Sequence, residues 1–321
     1  MAAIRGAGTA VQKLGRVLDR QRRSENFPVA LRLLPRNLRS DLIAVYNVAR
    51  VIDDLGDGGV SGSTAVRSPD NRSTDERAAL LDEFRVDLAA IWDGRQPAHP
   101  ALRDLVPVVL ARGLDREPFD RLIQANLIDQ HVHRYPTFAQ LREYCTLSAD
   151  PVGRIVLAVF GAVSPVTIEH SDRVCTALQL IEHCQDVAED RRAGRIYLPR
   201  EDLAAFAVTE AELDQPVASP SLRRLMIFQI DRAAELLDSG APLVGLLHGW
   251  ARLAVAGYVA GGRAALDALR RTRGDVLGGP PLPRRRDVPR HLLLGALQGP
   301  PTRPPVVANG HQPGSEGRWE P

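Results

Sequence analysis

Carboxylates recur at helical spacing in two separate stretches of the chain. Residues three, four, seven and eleven positions apart share one face of a helix. In "LQLIEHCQDVAEDRRAGRIYLP" (178–199) the residues with this spacing are Gln179, Glu182, Asp186 and Asp190. In "VYNVARVIDDLGD" (45–57) they are Tyr46, Arg50, Asp53 and Asp57. Two Asp at i and i+4 present two hard oxygen ligands, the type that Mg²⁺ takes together with water and phosphate oxygens.

A solvated helix face is the alternative explanation for either Asp pair taken alone. Both stripes, however, lie beside an apolar row, and both carry aromatic, amide or guanidinium groups as well as carboxylates. Two such stripes in one chain favour a binding cavity. Neither stripe follows a strand or contains a Gly-rich phosphate loop, and this disfavours a nucleotide-binding enzyme.

The elements that must position these stripes are helices. Helical periodicity dominates the sequence, and the alternating β-branched runs typical of strands are missing. An all-α fold is therefore predicted, as one bundle without a Pro/Gly linker. Helices are predicted at about 35–54, 75–92, 101–112, 117–133, 137–148, 151–161, 172–192, 219–237 and 249–271. The segment 56–74 is rich in Gly, Ser, Asn and Asp, which predicts a long mobile loop.

Composition narrows the class of protein. The chain has 321 residues and is 44% hydrophobic, enough to bury a substantial core. Its 41 basic and 39 acidic residues are mixed along the chain, so no nucleic-acid partner is expected. Cys145, Cys175 and Cys184 follow no metal spacing and predict reduced thiols. No apolar run approaches the roughly 20 residues of a membrane span, and a cytoplasmic protein is expected.

The motifs resemble a known family, the head-to-head prenyl synthases that include squalene and phytoene synthases. The resemblance lies in "SENFPVALRLLPRNLRSDLIAVYNVARVIDDLGD" (24–57), in "YCTLSADPVGR" (144–154) and in the stretch 178–199, and it covers about residues 24–297. The segments "ENFPV" (25–29), "SADPVGR" (148–154) and "SGAPLVG" (239–245) are similar to those of the hopanoid-pathway branch, the hydroxysqualene synthases.

The resemblance implies an isoprenoid-synthase-type helical bundle around a central cavity, with the two stripes facing each other across its mouth. It assigns Mg²⁺ binding to Asp53, Asp57, Asp186 and Asp190, with Asp54 and Glu189 either supporting these ligands or replacing one of them. Catalysis would also involve Tyr46 and Arg50. Substrate binding would involve Ser24, Asn26, Phe27, Tyr144, Gln179, Glu182, Arg195 and Tyr197. Phe27, Tyr144, Val152 and residues 155–159 are candidates for an apolar pocket wall, with ordinary core packing as the alternative.

The implied reaction converts presqualene diphosphate to hydroxysqualene with loss of diphosphate. One alternative is a squalene synthase that joins two farnesyl diphosphates and uses NADPH. Another is a non-catalytic lipid-binding or scaffold homologue. Glu182 stands where the family typically has Asn, and this extra carboxylate would either ligate Mg²⁺ or repel diphosphate. The neighbouring His183 is expected to pack between helices or to lie at the surface.

Three segments are predicted along the chain. Residues 1–23 form a basic N-terminal extension, residues 24–297 the catalytic domain, and residues 298–321 a Pro- and Gly-rich tail that is too polar to fold. The basic extension and the apolar product suggest weak peripheral contact with the inner face of a membrane, with a solvated charged face as the alternative explanation of the basic residues. The resemblance to the hopanoid branch also implies association with other enzymes of that pathway.

Overall fold

A computed structural model describes residues 34–56 and 73–297, which form helices, turns and one isolated β-bridge. The described α-helices are α1 (Arg36–Gly56), α2 (Thr74–Ala89), α3 (Pro100–Arg112), α4 (Glu117–Ile128), α5 (Phe138–Ser148), α6 (Asp150–Val159), α7 (Pro165–Gln185), α8 (Val187–Arg192), α9 (Arg200–Ala205), α10 (Pro220–Gly240), α11 (Leu243–Leu246), α12 (Gly249–Arg271) and α13 (Asp287–Leu297). A 3₁₀ helix spans Glu210–Asp214. These residues contain no strand, so the all-α prediction is confirmed.

The largest error of the sequence-based helix prediction concerns residues 172–192, which do not form one helix. The helix begins earlier, at Pro165, because Ser164 and Thr167 cap it reciprocally: each side-chain oxygen accepts from the backbone N–H of the other residue. It ends at Gln185, and Asp186 (φ −101°, ψ 12°) separates it from the short helix α8. The short helices α9 and α11 and the helix α13 were not predicted from periodicity.

Two apolar cores hold the bundle together. The first lies among α1 to α4 and contains fully buried side chains such as Leu42, Ile52 and Phe119. The second lies among α5, α7, α10 and α12 and contains Leu222 and Leu225. Each carboxylate stripe therefore belongs to a different half of the bundle, the first to α1 and the second to α7.

The helix α6 joins the two halves because its side chains enter both cores. Ile155 and Val159 pack in the first core, and Leu157 packs in the second. Phe160, directly after α6, and Tyr258 of α12 contact both cores. Residues 155–159 were candidates for an apolar pocket wall, with ordinary core packing as the alternative. Ile155 and Val159 agree with the alternative, because both are core residues.

Several predicted features lie outside the described residues. These are the N-terminal extension, most of the loop 56–74, the C-terminal tail and the site residues Ser24, Asn26, Phe27 and Asp57. Within the described part of the chain, none of the helices is both long and apolar enough to span a bilayer.

Candidate active site

The first carboxylate stripe lies at the C-terminal end of α1, and cationic and amide groups compensate its charge. The exposed carboxylate of Asp53 accepts a hydrogen bond from Nδ2 of Asn126, at 3.3 Å from Oδ1. The guanidinium of Arg50 is 11% exposed and forms an ion pair with Asp54, with 3.2 Å between Nε and Oδ1. Tyr46 is partly buried on the same helix.

The end of α1 is held by the C-terminal end of α4. A Cβ atom at Gly56 would lie 2.1 Å from Oδ1 of Asn126, so only glycine permits this close approach. The amide of Gln130 donates to the carbonyl of Gly56 over 2.9 Å and satisfies a helix-terminal acceptor. Gln130 in turn accepts from Nε of Arg77 over 3.0 Å. Gly56 is the last residue of α1 that the structure describes, so the helix end expected at Gly56 stays a prediction.

The second stripe lies where α7 breaks and α8 begins. Asp186 and Asp190 remain one helical turn apart across the break, because the backbone N–H of Asp190 donates to the carbonyl of Asp186 over 2.8 Å. Burial raises the pKa of Asp186 to about 6, and the charge of Glu189 adds to the shift. Burial also raises the pKa of Asp190 to about 7, with Arg195 opposing and Asp186 adding to the shift. Burial therefore shifts both carboxyl groups toward their neutral form.

Aromatic rings lie near the second stripe, because the charge of Asp190 acts on Tyr197. The rings of Tyr135, Tyr144 and Tyr197 have centroids 5.4–6.0 Å apart. His183 stacks on Tyr197 at 3.8 Å and lies near Gln179, with 3.3 Å between Nε2 atoms. Burial lowers the pKa of His183, and Arg195 lowers it further, so the imidazole is neutral. His183 thus packs against Tyr197 and Gln179, both of which the resemblance assigns to substrate binding, whereas the prediction was a histidine that packs between helices or lies at the surface.

The tyrosine hydroxyls of this cluster can donate hydrogen bonds but cannot act as bases near neutral pH. Burial is the main cause that raises the pKa of each of the three phenols, and the charge of Asp129 adds to it. Tyr197 is positioned by pairing of its segment with the segment that follows α4, because the N–H of Ile196 donates to the carbonyl of His133 over 3.0 Å. Arg195 is tied to the stripe by a 2.8 Å hydrogen bond from its backbone N–H to the carbonyl of Asp190.

The end of α4 links the two stripes, and its residues were missed by the sequence analysis. Asp129 accepts a 2.7 Å hydrogen bond from the hydroxyl of Tyr144, and its charge acts on Asp190. Three residues earlier on the same helical face, Asn126 contacts Asp53. Asn126, Asp129 and Gln130 are spaced by three and four residues, so "NLIDQ" carries the same kind of polar stripe that identified the other two helices.

Glu182 lies one turn before Asp186 and has an exposed side chain. It is thus placed toward solvent, whereas Gln179, a further turn back, is partly buried against His183.

A divalent cation fits the oxygen donors of this site. Asp53, Asp186 and Asp190 offer hard carboxylate oxygens, the donor type that Mg²⁺ takes. No three His, Cys, Asp or Glu side chains among residues 34–56 and 73–297 form a preassembled metal site.

Comparison with known proteins identifies the family. The squalene/phytoene synthase family model matches residues 20–291. A phytoene synthase of Arthrospira platensis is 32% identical, over 79% of this chain and 82% of its own. Two proteins of Rhodopseudomonas palustris are also 32% identical: a presqualene diphosphate synthase, over 65% of this chain and 70% of its own, and a hydroxysqualene synthase, over 69% and 70%.

A solved structure shows the same architecture. Squalene synthase HpnC from Alicyclobacillus acidocaldarius aligns with a TM-score of 0.68 and 38% identity, over 80% of this chain and 93% of its own. The chain belongs to the squalene/phytoene synthase family, whose members process prenyl diphosphates, and it has the isoprenoid-synthase-type fold.

Proposed function

We propose that this protein is a Mg²⁺-dependent prenyl diphosphate enzyme of squalene and hopanoid biosynthesis that converts presqualene diphosphate to hydroxysqualene. The observation that carries the proposal is the partly buried pair Asp186 and Asp190, one helical turn apart beside an aromatic cluster. Burial raises the pKa values of both groups, and a bound cation would favour their ionised form. The 32% identity with a hydroxysqualene synthase supports this branch.

Asp53, Asp186 and Asp190 would hold the metal, together with Asp57. Bound Mg²⁺ would supply Lewis-acid stabilisation of the departing diphosphate. The guanidinium of Arg50 would contact diphosphate oxygens, a geometry that suits its planar fork. In the structure this guanidinium is mostly buried and pairs with Asp54, so it would exchange this partner for the diphosphate oxygens.

In the proposed reaction the carbon–oxygen bond to diphosphate breaks and the electron pair leaves with the diphosphate. The carbocation rearranges, a water oxygen bonds to it, and this water loses one proton. The buried rings of Tyr144 and Tyr197 would keep other water away from the cation, while their neutral hydroxyls remain hydrogen-bond donors. The raised phenol pKa values leave the proton to be accepted by a carboxylate or by diphosphate.

A squalene synthase is the second candidate, because the 38% identical protein of solved structure is itself named a squalene synthase. It would join two farnesyl diphosphates and reduce the product with NADPH. A non-catalytic homologue is the third, because Glu182 replaces the expected amide beside the stripe. We also propose a cytoplasmic protein at the inner face of the membrane, because the ligand of each candidate is apolar. Membership of the hopanoid branch would further imply association with other enzymes of that pathway.

Product identification tests these candidates. Purified protein is incubated with Mg²⁺ and either presqualene diphosphate or farnesyl diphosphate, each with and without NADPH, and lipids are identified by mass spectrometry. Hydroxysqualene from presqualene diphosphate without NADPH is the expected result. Squalene formed from farnesyl diphosphate only with NADPH would favour the second candidate, and no turnover of either substrate would favour the third.

A further inference from the structure

The last described segment combines exposed leucines with arginines. Leu282 is 79% exposed and Leu293 is 64% exposed, although leucine is normally buried. Between and beside them lie four exposed arginines: Arg284, Arg285, Arg286 and Arg290. We name these six residues the C-terminal patch.

The patch is displayed on a fixed support. The helix α13 packs against α12 through a 2.8 Å contact between Nε2 of His291 and Oδ2 of Asp267 and through a 3.0 Å ion pair between Arg271 and Asp287. Asp287 and His291 are one turn apart and face α12. Arg290 and Leu293 are three residues apart and lie on the outer side, where both are exposed.

The charge of the patch is strongly positive. Asp287 is the one acidic residue between positions 276 and 297, and it already binds Arg271 and the backbone N–H of Arg284. Arg285, Arg286 and Arg290 form no ion pair within the part of the chain that the structure describes. An anionic partner would therefore meet three uncompensated guanidinium groups.

We propose that the C-terminal patch docks the protein on an anionic lipid bilayer. Leucine side chains would enter the interfacial region while the arginines meet lipid phosphates, the combination that defines basic interfacial helices. An acidic protein or a nucleic acid would use the arginines but would leave the leucines in water. A second copy of the chain would bring arginines against arginines, which is unfavourable.

The C-terminal patch lies close in space to the second carboxylate stripe, which relates the docking to the candidate active site. The side-chain amide of Gln185 donates to the carbonyl of Pro281 over 3.0 Å. Pro281, directly before the patch, therefore contacts Gln185, directly before Asp186. A docked protein would hold its second carboxylate stripe near the lipid surface. This last step rests on the proposed function, whereas the docking itself does not.

Co-flotation with vesicles tests the proposal on the full chain without substrate. Vesicles of phosphatidylcholine, with and without phosphatidylglycerol, are compared for the wild type, for Arg285→Gln/Arg286→Gln/Arg290→Gln and for Leu282→Ser/Leu293→Ser. Each arginine near an anionic surface contributes roughly five-fold to binding, so the triple variant should bind on the order of 100-fold more weakly. The leucine variant should lose about ten-fold.

Two matched variants serve as controls. Leu110→Ser removes a leucine that is 75% exposed on α3, and it should bind like the wild type. Arg20→Gln/Arg22→Gln/Arg23→Gln removes an equal charge from the basic N-terminal extension. Thermal unfolding checks that every variant is folded.

Loss of binding in the C-terminal arginine and leucine variants supports the proposal, whatever the N-terminal triple does. Wild-type-like binding by both C-terminal variants would overturn it, and so would a wild type that binds neither vesicle or binds both equally. Light scattering adds one more outcome: a dimer that Leu293→Ser dissociates, without vesicle binding, would reassign the patch to self-association. None of these readouts depends on which prenyl diphosphate the protein converts.

Discussion

The two carboxylate stripes have the same spacing in the sequence but different surroundings in the folded protein. On α1, Asp53 is exposed and accepts from Asn126, and Arg50 neutralises Asp54. At the break after α7, burial and like charge raise the pKa values of Asp186 and Asp190. The difference shows that residues from other helices set the charge state of a motif. Two motifs with equal spacing therefore need not contribute equally to turnover.

Neutralising the second stripe should have the largest effect on turnover. We expect Asp186→Asn to lower Mg²⁺-dependent diphosphate release by about 10³-fold and Asp53→Asn by about 10²-fold, because the first stripe keeps more compensation from its neighbours. Steady-state release of diphosphate measures both. Glu169→Gln, an exposed change on the same helix α7, is the control. Equal losses for the two aspartates would remove the proposed difference, and normal turnover would remove the site.

The first stripe should depend on the close approach of α4. Gly56→Ala would place a Cβ atom 2.1 Å from Oδ1 of Asn126, so Asn126 must move away and Asp53 loses its hydrogen bond. Turnover should fall by roughly 10-fold and stability by about 1–2 kcal/mol. Kinetics and urea unfolding measure the two effects.

The double variant Gly56→Ala/Asn126→Ala separates the clash from the lost hydrogen bond. Removing the Asn126 amide relieves the clash, so the double variant should recover stability relative to Gly56→Ala alone. It should not recover turnover. A double variant as unstable as the sum of the single variants would mean that the clash is not the cause.

A buried carboxyl group outside both stripes shows the effect of burial on a pKa without the effect of the candidate site. Asp150, at the start of α6, belongs to neither stripe, and burial raises its pKa to about 7 despite a 2.8 Å hydrogen bond from Thr176. Because the folded-state pKa lies above the ordinary 3.8, the stability this group contributes is present in acid and is lost as pH rises through about 7.

Asp150→Asn keeps an oxygen acceptor for Thr176 but cannot ionise. Its stability relative to the wild type should therefore rise by about 2 kcal/mol between about pH 5 and about pH 8. Urea unfolding at several pH values measures this, with exposed Asp104→Asn as the control. A difference that stays constant with pH would contradict the raised pKa.

Restoring the family's amide should have the smallest effect. Glu182 is exposed, so we expect Glu182→Asn to change turnover and the Mg²⁺ concentration for half-maximal activity by no more than about 3-fold. Titration of activity with Mg²⁺ measures both quantities. A large gain in activity would instead show that this carboxylate repels diphosphate.

Periodicity predicted most of the fold because long amphipathic helices leave a strong local signal, as for α12, whose predicted bounds match those observed. It failed where tertiary contacts decide, as at the break after Gln185 and in the short helices α9 and α11. The stripes were found because their spacing is local. Asn126 and Asp129 were missed because their partners, Asp53 and Tyr144, come from other helices, although their own spacing was visible.

The helix α6 gives Ile155 to one core and Leu157, two residues later, to the other. Neither half of the bundle can separate from this helix without exposing leucine or isoleucine to water, so the two halves are expected to unfold together. Amide hydrogens of α6 should then exchange only by global unfolding, and those of α1 and α7 should report the same free energy. The two carboxylate stripes, though carried by different cores, are thus parts of one cooperative unit.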